Sequence, residues 1–78
     1  GKWVEVSGTC SKVNEGILNR NWIHIKDGSA DDRDFVVTSS ASVKPGDPVK
    51  MKAVVRLDRD FGAGYRYEVL LEDGVLLD

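Results

Sequence analysis

The chain has 78 residues, 41% of them hydrophobic, and its 11 basic residues face 13 acidic ones for a net charge of −2. That length makes one domain with no room for a second core, and the hydrophobic share is too high for a disordered tail. The charge balance counts against tight, sequence-independent nucleic-acid binding, which draws most of its affinity from phosphate neutralisation, yet it leaves room for a local basic patch.

Cys10 is the single cysteine and His24 the single histidine. An internal disulfide, a cysteine-rich zinc site and a histidine-rich metal site are therefore out of reach, and no cofactor is expected. No apolar run approaches membrane-spanning length and no signal peptide is recognisable. The chain opens on Gly1, which reads as a mature fragment or an excised domain.

Trp3 to Val13 alternates as one long strand, with Val4, Val6 and Cys10 inward. Gly8 interrupts the period, and a glycine inside a strand marks a bulge or a sharp coil. Asn14 to Asn21 is rich in turn formers and predicts a loop carrying Arg20, with Ile17 and Leu18 tucked back against the fold. Trp22 to Lys26 predicts the second strand, Ile23 and Ile25 facing in and Trp22, His24 and Lys26 facing out.

After Asp27-Gly28-Ser29 and the acidic tip Asp31-Asp32-Arg33-Asp34, Phe35 to Thr38 predicts a third strand with Phe35 and Val37 inward. Ser39 to Asp47 is a polar connection with at most one helical turn at Ser40-Ala41-Ser42, and Lys44-Pro45-Gly46-Asp47 has proline and glycine where a type II turn wants them. A fourth strand is predicted from Pro48 to Leu57, with Val49, Met51 and Ala53 inward and Lys50 and Lys52 outward. A second prominent loop, Asp58 to Gly64, leads to a fifth strand from Tyr65 to Leu71, and Glu72-Asp73-Gly74 predicts a turn before the apolar tail.

Gly8 in a long first strand, the run WIHIKDGS, and Val43-Lys44-Pro45-Gly46-Asp47 before the fourth strand together resemble the oligonucleotide/oligosaccharide-binding fold, the OB-fold. The resemblance implies an all-β, five-stranded Greek-key barrel with little or no helix between strands three and four. The run WIHIKDG is also similar to the strand-two signature of anticodon-binding OB domains in class II aminoacyl-tRNA synthetases. There the aromatic matching Trp22 stacks on a base and the position matching His24 faces the ligand. The whole chain looks like small bacterial OB domains that carry a strand-two asparagine-tryptophan pair and a final glycine-tyrosine loop. Such domains are often found in exported proteins and assigned to nucleic-acid binding. The chain departs from the pattern in lacking the usual helix between strands three and four and in its low density of basic residues.

The candidate site follows from this placement. Trp22 displayed between loops suits base stacking; the competing assignment packs it under Ile17 and Leu18. His24 and Lys26 share its face, Arg20, Arg59 and Arg66 form the best basic set, and Phe61 and Tyr65 interleave aromatics among them. Asp58, Asp60 and Glu68 in the same segments are equally the mark of a solvated face. Asp27, Asp31, Asp32 and Asp34 lack the spacing of a calcium loop and read as an acidic hairpin tip. Cys10 has no base beside it in the sequence and its parity points inward, as a buried thiol.

The sequence thus predicts a monomeric binding module rather than an enzyme, with no membrane insertion within the chain. Its leading ligand is single-stranded DNA or RNA, bound weakly across strands two and three: Trp22 stacks, His24 and Lys26 contact polar edges or phosphate, and Arg20, Arg59 and Arg66 clamp the backbone. A protein-interaction or assembly module of an exported bacterial protein is the alternative, and oligosaccharide binding a third, because tryptophan faces also stack on sugars.

Overall fold

The computed structural model describes residues 1–28, 34–62, 64 and 66–77. These form five strands, β1 (Trp3–Ile17), β2 (Arg20–Lys26), β3 (Asp34–Ser39), β4 (Pro48–Asp60) and β5 (Arg66–Leu76), with no helix among the described residues. The fold is all-β, in a single sheet. No helix of the described residues is long and apolar enough to cross a membrane.

β1 is long because it serves two partners. Trp3 to Thr9 pair with β4, and from Thr9 onward the strand pairs with β2. Gly8 sits at the handover, where a Cβ would run into the backbone carbonyl of Lys26 on β2. Only glycine allows that approach, while the register of β1 stays regular through Gly8 and first shifts between Cys10 and Lys12. β2 pairs with β3, β3 runs parallel to β5, and β5 pairs with β4. The order β1-β2-β3-β5-β4 therefore closes on itself through the β4–β1 ladder. Closure removes edges from the shared part of the sheet, while residues 56–60 of β4 and 66–70 of β5 pair only with each other and extend beyond it as a two-stranded arm.

Strand alternation fills the interior. Ile23, Ile25, Val37, Met51 and Ala53 are wholly buried there with Cys10, Val49 and Leu71, and Val4, Val6 and Phe35 pack against them. Val43 joins them from the β3–β4 connection. That connection forms no helical turn at Ser40–Ser42. Ser39 Oγ accepts from Ala41 N at 2.9 Å and donates to the Gly74 carbonyl at 2.6 Å, which pins the chain to β5 instead. The Lys44–Asp47 turn forms as predicted, with Asp47 N donating to Lys44 O at 3.1 Å and Gly46 at φ 95.

Three connections differ from expectation. The Asn14–Asn21 loop is a continuation of β1 and β2, irregular between Asn14 and Ile17 and closed by a turn at Leu18 and Asn19. Their φ values of 55 and 62 suit the left-handed turn that matches hairpin twist. Polar turn formers here pair across a long hairpin, and Asn21 Oδ1 receives Gly16 N at 3.1 Å. β4 runs past Leu57 to Asp60, so Arg59 is a strand residue. β5 continues to Leu76, and Glu72-Asp73-Gly74 is not a turn: the β4–β5 register shifts between Lys52 and Val54, with Asp73 at φ 57 and Gly74 buried against Val37 and Met51. This is a bulge, which bends a strand without ending it.

Candidate functional site: an arginine and aromatic cluster on the outer face

Because Ile23 and Ile25 face the interior, alternation turns Trp22, His24 and Lys26 to the outer face of β2. Trp22 is nevertheless not displayed. It is only 2% exposed. Tyr67 of β5 stacks on its ring at 5.5 Å, and Phe61 meets it edge-on at 5.2 Å. Its Nε1 donates to the Ile17 carbonyl at 2.9 Å. β2 and β5 flank β3 in the sheet, so Tyr67, from the outer part of the β4–β5 pair, meets Trp22 across β3. Period two gives the face a side chain points to; it says nothing of what later covers that face. The side chain expected to be displayed is sealed beneath the arm.

Beside this aromatic group, three arginines converge on one carboxylate. Glu72 is 6% exposed, and its Oε1 accepts from Arg20 Nη1 at 2.7 Å. Arg59 Nε lies 3.0 Å and Arg56 Nε 3.8 Å from Oε2. Neither meets Oε2 in line, so that oxygen is held by charge without an aligned hydrogen bond. Phe61 lies between two of the cations, 5.7 Å from the Arg20 guanidinium carbon and 4.9 Å from that of Arg59. A buried carboxylate without partners would cost several kcal/mol, so Glu72 requires these arginines and fixes where they stand. They remain 33–44% exposed on their outer sides. Three guanidiniums around one carboxylate leave a local charge of +2 in a chain whose total is −2.

Of the residues singled out from the sequence, Arg20, Arg59, Phe61 and Trp22 thus come together. His24 and Lys26 do not join them. His24 Nδ1 stands 3.4 Å from Asp34 Oδ2, and Lys26 lies opposite Asp34 at the far end of β2. Six residues along a strand separate Arg20 from Lys26, roughly 20 Å. Arg66 opens β5 opposite Asp60, exposed on the arm. Tyr65, and Asp31 and Asp32 of the acidic tip, lie outside the described residues.

Arg56, Tyr67 and Glu72 escaped sequence reasoning. Arg56 continues the outward parity of Lys50 and Lys52, a signal that was present. Glu72 falls in a predicted turn, and nothing local distinguishes a carboxylate that will be enclosed by Arg56 and Arg59 of the neighbouring strand and by Arg20, 52 residues distant. Cys10 is buried, with its thiol pKa raised chiefly by that burial and its Sγ 3.7 Å from the Lys12 carbonyl. No group of metal-ligating side chains gathers among the described residues. The chain matches no known family model, no curated protein and no solved structure.

Proposed function

We propose that the chain is an OB-type β-barrel acting as a binding module for single-stranded nucleic acid, held weakly across the outer face. The closed five-strand order, with a parallel β3–β5 pair, is compatible with that barrel. One observation carries the ligand assignment: the Glu72-centred arginine cluster, net positive and interleaved with Phe61. Arg20, Arg56 and Arg59 offer their solvent-facing N–H groups to phosphate, and a base stacks on the outer sides of Phe61 and Tyr67 rather than on Trp22, which supports those rings from beneath. His24 and Lys26 serve a neighbouring nucleotide at the far end of β2, and Arg66 serves one along the arm.

Amide chemical-shift mapping with short oligonucleotides at low salt tests this. Shifts should centre on Arg20, Arg59 and Phe61, with affinity in the micromolar range or weaker, as is typical of non-specific contacts. Arg59→Ala should weaken binding and reduce the log–log salt slope by about one. No shift at these amides with any base composition sinks the nucleic-acid assignment.

A second reading rests on a different surface. Leu57 and Val69 face each other across β4 and β5, 66% and 59% exposed. Leu57 borders an apolar groove with Val4 and Val55, rimmed by Lys2 and Arg56. An exposed apolar patch with a charged rim fits a protein-interaction module, and shifts confined to this groove on adding a partner protein would favour it.

A further inference from the structure

We infer that the polar cleft beside Arg20 is a ribose subsite, so that the module prefers RNA to DNA. The inference rests on the nucleic-acid reading above and names the substrate class of that same face.

The cleft, about 370 Å³, opens where three separate segments meet: the Leu18–Asn19 turn, the end of β3 and the β5 bulge. Its lining residues include Asn19, Arg20, Thr38, Ser40 and Asp73, which between them carry an amide, a guanidinium, two hydroxyls and a carboxylate, with Gly74 and Val75 at the bulge. Such a wall suits an occupant bearing several hydroxyls and an anionic group, and offers little to a flat apolar ring. Arg20 is shared by both sites. Its Nη1 is tied to Glu72 within the arginine cluster, and the same residue lines the cleft. A phosphate held by the cluster therefore delivers its attached sugar to the cleft.

Asp73 gives the cleft its selectivity. The bulge holds it at φ 57, and the next residue, Gly74, is fixed by packing against Val37 and by the Ser39 hydroxyl on its carbonyl at 2.6 Å. Asp73 is exposed, and among the described residues no hydrogen bond or ion pair engages its carboxylate. A ribose 2′-hydroxyl can donate to it, whereas deoxyribose has nothing to offer at that position, and the 2′-hydroxyl is the group by which proteins tell RNA from DNA. An acidic side chain on a ribose hydroxyl is an established recognition device in dinucleotide sites.

The test compares three oligomers of one sequence, about eight nucleotides long to fit a single such domain: RNA, DNA and 2′-O-methyl RNA, each titrated into the wild-type chain and into Asp73→Gly. Glycine tolerates the positive φ, so the variant removes the acceptor and keeps the bulge. RNA should bind about tenfold tighter than DNA, the worth of one charge-assisted hydrogen bond. The 2′-O-methyl oligomer, which keeps the ribose shape but cannot donate, should bind like DNA. Asp73→Gly should bring RNA down to the DNA level while leaving DNA binding intact. Ser40→Ala provides a check independent of the bulge, with a smaller loss confined to RNA. Equal, measurable RNA and DNA affinities in the wild-type chain would overturn the ribose assignment and leave the nucleic-acid reading standing. Absence of binding by all three oligomers would overturn both.

Discussion

The two sides of the sheet are held together by different physics. Inside, Ile23, Ile25, Val37, Met51 and Ala53 meet as apolar side chains with no polar partner to find, and any well-packed apolar set of the same volume would serve. Outside, Trp22 is buried just as deeply, but by an arm carrying Phe61 and Tyr67 that is fastened through arginines to Glu72. The inner core depends on volume. The outer cluster depends on geometry and charge, and it is the part that retains unspent hydrogen-bond donors facing solvent. In so small a domain, where one core buries only about 60% of the unfolded surface, a second buried aromatic group contributes substantially to stability while framing the candidate site.

If the outer cluster is a true second core, Trp22→Ala should destabilise the fold by about 3–5 kcal/mol, no less than the about 2–5 kcal/mol expected for Ile23→Ala inside. Denaturant midpoints of the two variants decide this. A loss under about 1 kcal/mol for Trp22→Ala would reduce the outer cluster to surface decoration.

Next in size is Glu72→Gln, which keeps the shape and removes the charge on which three arginines converge. A loss of about 1–3 kcal/mol is expected, because these are hydrogen bonds and ion pairs to a buried charged group, partly discounted by the exposure of the arginines. The loss should shrink at high salt, where the remaining arginines repel one another less. The same salt series on Ile23→Ala should show no such dependence, which separates the two sides cleanly.

Phe61→Ala should cost about 1–2 kcal/mol, from its edge contact with Trp22 and its place between Arg20 and Arg59. Its sharper readout is optical. Trp3 is 57% exposed and Trp22 is sealed, so a Trp3→Phe background isolates an emission that acrylamide should barely quench. Adding Phe61→Ala should raise that quenching. Strong quenching of Trp22 before the change would mean that the arm does not cover it in solution.

The smallest effect belongs to the interior. Burial raises the Cys10 thiol pKa, so the folded state holds its proton more tightly than the unfolded chain does. The stability this contributes is intact below the unfolded thiol value of about 8.5 and is lost as pH rises through the raised folded value. Native alkylation at neutral pH should be slow and should become fast on denaturation; prompt native labelling would show that the interior opens around β1.

The interior residues were legible because strand pleating sends alternate side chains to opposite faces, and a stretch such as Ile23-His24-Ile25 carries that information in adjacent letters. Gly8 was legible as a special position, but its reason is tertiary. The Lys26 carbonyl of β2 comes too close for any side chain there, and the register irregularity of β1 falls after it, between Cys10 and Lys12. The hairpin from Asn14 to Asn21 was not legible, because asparagine and glycine favour turns in isolation, and only pairing with the opposite strand shows which of them actually turn. The burial of Trp22 was legible only as the assignment competing with display, and with a different cover, Ile17 and Leu18. Its outward direction followed from the sequence, but its cover comes from Phe61 and Tyr67, some forty residues away in the chain, once β5 lies beyond β3 in the sheet. The convergence of Arg20, Arg56 and Arg59 on Glu72 is likewise a product of sheet order. Each is an ordinary surface-type residue where it stands in sequence, and only closure of the sheet brings opposite charges within contact and removes the water between them.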